Sequence, residues 1–126
     1  MVEVAASNRG SIRFVNCAYW GPCHQIAKIA GQGTVGFGDC TFCQWDTKWD
    51  GRHAIQATSG SVLVRGCEFQ LDRPQVLLGK DVGRAIITDN LFKGPERIDN
   101  QSRGIVRIAN NVGLPAKSSS NDDPAE

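Results

Sequence analysis

The sequence predicts an all-β solenoid, a chain wound into short coils whose strands pair in parallel from one coil to the next. Three observations carry this. One phrase recurs five times: Gly, any residue, an apolar residue, any residue, an apolar residue, two more, then Cys or Asn. Its copies are GSIRFVNC (10–17), GTVGFGDC (33–40), GSVLVRGC (60–67), GRAIITDN (83–90) and GIVRIANN (104–111), spaced by 23, 27, 23 and 21 residues. Within each copy the apolar residues alternate at strand period rather than helix period. No stretch of about 10–12 residues carries a clean helical pattern, and glycine interrupts every candidate.

The elements follow in order. Val2 and Val4 sit ahead of Gly10 much as Ile26 and Ile29 sit ahead of Gly33, and read as the last strand of a rung. Each copy then opens a strand with its inward pair: Ile12/Phe14, Val35/Phe37, Val62/Val64, Ala85/Ile87 and Val106/Ile108. Before the Cys or Asn stands Asn16, Asp39, Gly66, Asp89 or Asn110. These residue types best tolerate positive φ, so a single left-handed residue is expected to bend the chain there. In four copies an aromatic follows two residues past the bend: Tyr19, Phe42, Phe69 and Phe92. A weaker strand then leads to the next glycine: Gln25 to Ala30, Ala54 to Thr58, Gln75 to Leu78 and Glu96 to Asp99. Units of about 23 residues without helices bury no face alone, but stacked coils bury a continuous one.

Three inward ladders are expected: Ile12–Val35–Val62–Ala85–Val106, Cys17–Cys40–Cys67–Asn90–Asn111 and Tyr19–Phe42–Phe69–Phe92. On these residues the chain resembles a run of rungs from a right-handed parallel β-helix of the pectate-lyase-like superfamily, specifically its C-terminal rungs. The resemblance covers roughly residues 2–112 and implies about four and a half rungs. A β-sandwich of short strands would instead need hairpin turns and would have no reason to repeat a Cys and aromatic ladder. The resemblance reaches the fold and not an activity, since the superfamily holds lyases, hydrolases, epimerases and adhesins. None of its catalytic motifs has a counterpart in this sequence.

The 126 residues suit one domain, expected as rungs over 1–112 and a polar, disordered tail over 113–126, which holds Pro115 and Pro124. Nothing before Val2 reads as a cap. The open N-terminal face is therefore expected to be covered, by preceding rungs of a longer protein or by another chain in a homo-oligomer. With 14 basic against 13 acidic residues the net charge is +1, which argues against a nucleic-acid partner. No apolar run approaches the roughly 20 residues of a membrane span, and MVEVAASNRG has no signal-peptide character. Secretion or cell-surface display would follow only from membership in a longer protein.

Of the five cysteines, Cys17, Cys40 and Cys67 are expected as a reduced column of small hydrophobes in the core. The CxxC spacing of Cys40 and Cys43 is a poor redox or zinc signal on a strand with Phe42 inward. A Cys23–Cys43 disulfide is open, since both follow the aromatic.

The 27-residue spacing comes from QWDTKWDGRHA (44–54), about six residues longer than its counterparts. Trp residues with flanking carboxylates and Arg suit sugar rings, whose apolar faces stack on indole while hydroxyls bond charged groups. Aligned on isoleucine, WGPCHQI (20–26) and WDGRHAI (49–55) would stack Trp20 with Trp49 and His24 with His53. Asp72, Arg73, Glu96 and Arg97 fall near the same edge. The expected ligand contacts are Trp20, His24, Trp45, Trp49, Arg52, Asp72 and Arg73, with polysaccharide as the ligand. The catalytic candidates are Asp46, Asp50 and His53. A hydrolase would pair two carboxylates, and a lyase would use Arg, Lys or His as base. No acidic cluster reads as a Ca²⁺ site, and no metal or other cofactor is expected. Trp residues packing the loop down, with its charges in surface ion pairs, is the structural alternative. Outward-facing Arg13, Arg65, Arg84, Arg103 and Arg107 read as a solvated face, and a net charge of +1 argues against a heparin-like ligand.

Overall fold

A computed structural model describes residues 1–115. They contain no helix, half of the residues lie in strands, and the parallel sheets stack as a β-solenoid of about five turns. The first turn holds β1 (Val2–Val4), β2 (Ser11–Val15) and β3 (Ala18–Tyr19), and the second holds β4 (Ala27–Ile29), β5 (Thr34–Gly38) and β6 (Thr41–Phe42). The third holds β7 (Ile55–Arg65) and β8 (Glu68–Phe69), and the fourth β9 (Val76–Thr88) and β10 (Leu91–Phe92). The last holds β11 (Ile98–Asn100), β12 (Ile105–Ala109) and β13 (Val112–Gly113). Every strand pairing is parallel. β7 and β9 run without a break through the corner that separates two strands elsewhere, which fuses two faces into one eight-stranded sheet. The strands after the bend form the other sheet, in the order β13-β10-β8-β6-β3.

The bends fall where residue type requires them. Asn16, Asp39, Gly66, Asp89 and Asn110 all adopt positive φ, between 53° and 65°. The inward ladders hold residue for residue. Ile12, Val35, Val62, Ala85 and Val106 are register partners in turn, as are Tyr19, Phe42, Phe69 and Phe92. Rungs about 4.8 Å apart place rings in contact. Centroids lie 5.2 Å apart for Tyr19–Phe42, 4.5 Å for Phe42–Phe69 and 5.4 Å for Phe69–Phe92. A third set of ladders comes from the remaining strands: Val2–Ala27–Ile55–Val76–Ile98 and Val4–Ile29–Ala57–Leu78.

The cysteine column is more than apolar filling. Cys40 Sγ donates to the carbonyl of Phe14 (3.3 Å), Cys67 Sγ to that of Phe37 (3.5 Å), Asn90 Nδ2 to that of Val64 (3.1 Å) and Asn111 Nδ2 to that of Ile87 (3.2 Å). The asparagines also accept from the backbone of the rung before: Asn90 Oδ1 takes the N–H of Cys67 (2.9 Å) and Asn111 Oδ1 that of Asn90 (3.0 Å). A sharp one-residue bend removes a carbonyl and an amide from the regular ladder, and buried groups of that kind need partners. Cys and Asn share this position because each side chain can donate to the carbonyl left by the bend of the rung before.

Two expectations differ from the structure, and one open pairing is settled. The weaker strands start one to two residues late, at Ala27, Ile55, Val76 and Ile98. The preceding glutamines instead tie the corners: Gln25 Nε2 donates to the His53 carbonyl (3.1 Å) and Gln75 Nε2 to that of Pro95 (3.1 Å). All five cysteines are free, so Cys23 and Cys43 are not joined. Cys23 Sγ instead meets the Gln44 carbonyl at 3.4 Å. β13 continues to Gly113, one residue past the expected end of the rungs. The tail from residue 116 onward lies outside the described residues.

Candidate functional site

The inserted loop, residues 44–53, is built from its buried end outward. Trp45 turns into the core. It is fully buried, edge-on to Phe69 (centroids 6.0 Å apart), and its indole N–H donates to the Pro74 carbonyl at 2.7 Å. The expectation of Trp45 as a sugar platform is corrected: its indole wedges the long loop against the stack, and an amphipathic ring with a satisfied N–H does this well.

Asp46 follows in a left-handed conformation (φ 55°) and is buried. Its Oδ1 accepts the N–H of Asp50 (2.9 Å) and its Oδ2 that of Gly51 (3.1 Å). Both carboxylate oxygens hold the turn, so Asp46 positions the loop rather than facing a ligand. Trp49, also left-handed (φ 57°), donates its N–H to the Asp46 carbonyl at 3.0 Å. Its side chain is 75 % exposed. A bulky residue in this region of φ, ψ is an outlier that surrounding contacts must hold in place.

Arg73, from the next rung, completes the arrangement. Its Nη1 donates to the carbonyls of Trp45 (2.7 Å) and Asp46 (2.9 Å). Its guanidinium carbon lies 3.7 Å from the Trp49 ring centroid. The cation covers one indole face and leaves the other to solvent.

The expected rung-on-rung pairs do not form. Ala27, not Ile26, is the register partner of Ile55, which shifts the isoleucine alignment by one residue. His24 therefore meets Asp50, with Nε2 3.4 Å from Oδ2, and its Nδ1 is shut off from solvent without a partner among the described residues. The N–H groups of Asp46 and Thr47 donate to the carbonyls of His24 and Cys23. Trp20 follows Tyr19, whose carbonyl receives the Cys43 N–H, so its row neighbour is not Trp49. It is 78 % exposed at the first rung.

His53 is half-buried, and burial lowers its pKa below the usual 6.5, opposed by the negative charges of Asp99 and Asp46. Asp72 and Arg97 form a surface pair at 3.0 Å, and Arg52 is exposed nearby. The edge thus brings together Trp49, Arg73, Asp50 and His24, while Trp45 and Asp46 form its foundation. Among the described residues no three His, Cys, Asp or Glu side chains gather to hold a metal.

Sequence reasoning placed Arg73 on this edge but missed that it stacks on Trp49, and it missed Asp46 as a turn anchor. The Asp46-to-Gly51 separation fits a carboxylate folding back on a turn, and is the signal available for the second. No protein-family model matches the chain, and no curated protein or solved structure matches it either.

Proposed function

We propose that these rungs form a carbohydrate-binding module of the pectate-lyase-like kind, non-catalytic in itself, that holds polysaccharide at the edge built by Trp49, Arg73, Asp50 and His24. The observation that carries the reading is Trp49. An indole held in a strained backbone conformation, pinned on one face by a hydrogen-bonded arginine and open on the other, is a rigid platform for the apolar face of a sugar. Asp50 and Arg52 follow it in the loop, both exposed, and supply groups of the kind that bond hydroxyls. Rigidity lowers the entropy lost on binding. Burial of Asp46 argues against a hydrolytic carboxylate pair with Asp50.

The test is retardation in native gels cast with an uncharged polysaccharide, β-glucan, galactomannan or arabinan. At least one should slow the protein, and Trp49→Ala should weaken that binding about tenfold with an unchanged thermal melt, as expected for loss of a stacking contact of about 1.5 kcal/mol. Retardation that Trp49→Ala leaves intact, or none across the panel, sinks the reading.

A second reading, assembly through the first rung, has its own support. Ile12, Phe14, Cys17 and Tyr19 are only partly buried, whereas the next rung buries Val35, Phe37, Cys40 and Phe42. Among the described residues nothing covers β1, β2 and β3.

A further inference from the structure

The outer face of the strands before the bend carries a feature the Trp49 edge does not use. Register aligns Arg13, Gly36, Leu63, Ile86 and Arg107 in one outward column, and Ser11, Thr34, Ser61, Arg84 and Ile105 in the next. The strands β2, β5, β12 and the matching parts of β7 and β9 contain no acidic residue on this face. Arg13, Arg84 and Arg107 rim a shallow depression of about 440 Å³ floored by Leu63 and Ile86.

The arginines converge on it. Gly36 has no side chain, and a Cβ there would stand 3.0 Å from Arg13 Cδ, so Arg13 lies across the second rung. Arg84 reaches back from the fourth rung and donates from Nε to Ser61 Oγ at 3.1 Å. Both guanidinium groups are thereby drawn over the second and third rungs, and neither pairs with a carboxylate among the described residues. Arg65 adds a fourth cation in the third outward column, where Asp39 and Asp89 at the bends adjoin a neighbouring depression.

We propose that this face binds a polyanionic polysaccharide, its carboxylate or sulfate groups held between Arg13 and Arg84 and its chain running along the stack toward Arg107. Unpaired guanidinium groups with fork geometry select planar or tetrahedral oxyanions. Cations spread over successive rungs suit a chain carrying repeated charges. The face presents no aromatic ring, the feature with which proteins stack single-stranded bases, so a glycan is the better occupant. The site is separate from the Trp49 edge and does not depend on it.

Dextran, carboxymethyl-dextran and dextran sulfate share one backbone and isolate the charge. In affinity electrophoresis the two charged polymers should retard the full chain and plain dextran should not, with the effect weakening as salt rises. Arg13→Gln/Arg84→Gln should lower affinity for dextran sulfate by about tenfold or more, with an unchanged melt, whereas Trp49→Ala should leave it intact. Should the double variant melt early, Arg107→Gln alone supplies the reading, with a smaller loss of the same sign. Equal retention of the arginine variants, loss of binding in Trp49→Ala instead, or stronger retardation by a duplex oligonucleotide than by dextran sulfate overturns the proposal.

Discussion

Cys67 sits at the middle of the corner ladder, where its thiol donates to the Phe37 carbonyl and its own N–H is taken by Asn90 Oδ1. Burial pushes its thiol pKa up to about 12, so it acts as a neutral hydrogen-bonding group throughout the physiological range. Cys67→Ala removes the donor that meets the Phe37 carbonyl. It should cost about 1–3 kcal/mol in denaturant unfolding. Cys67→Asn places there the side chain already found at Asn90 and should recover most of that loss. Equal destabilisation by both substitutions would reduce the column to packing alone. The repeat made this position visible in the sequence. What stayed hidden was that thiol and amide do the same work, because a cysteine in an apolar context reads first as a hydrophobe. The two tryptophans of the inserted loop divide similarly. Composition marked both Trp45 and Trp49 as ligand contacts, but which one turns inward depends on the neighbouring rung that supplies Phe69 and Pro74, and no local pattern encodes that.

At the scale of elements, strand identity and bend position were legible because they rest on period and on φ preference, both local. Register in the weaker strands was not. One-residue slips move each alignment, and the corner glutamines that decide them act across rungs. The corner within β7 combines a close rung approach with a left-handed backbone. Gly60 has φ 85°, and a Cβ there would stand 2.6 Å from the Gly31 carbonyl oxygen and 2.7 Å from that of Gly33. β9 negotiates the same corner with two register shifts, one between Ala57 and Ser59 and one between Gly60 and Ser61. Gly60→Ala therefore meets both a disfavoured φ and two backbone oxygens, and should lower stability by about 1–3 kcal/mol. Gly21 is left-handed with open space about it, so Gly21→Ala carries only the first penalty. A thermal melt of the pair reads the difference, and equal losses would mean that the close rung approach at Gly60 relaxes freely.

For the whole molecule, the stack is quasi-one-dimensional, and each rung leans on its neighbours. The exposed edges of β1, β2 and β3, with Phe14 and Tyr19 above the aromatic column, should drive self-association. Light scattering across a concentration series should find a rising mass, and Phe14→Asp should return it to that of a single chain. A monomer mass at every concentration would remove the assembly reading. The form of that association follows from the corner ladder. From Cys40 on, each Cys or Asn donates to a carbonyl of the rung before it. Cys17, in the first rung, reaches only the Val15 carbonyl of its own rung at 3.5 Å, and no described side chain follows Asn111 to meet the corner at Asn110. A copy that joins last rung to first continues the ladder, whereas two first rungs placed face to face do not. Such a contact is heterologous and does not close on itself. Copies joined in this way would build a filament with a direction and two chemically unlike tips, the Cys17 thiol at one and the bend at Asn110 at the other.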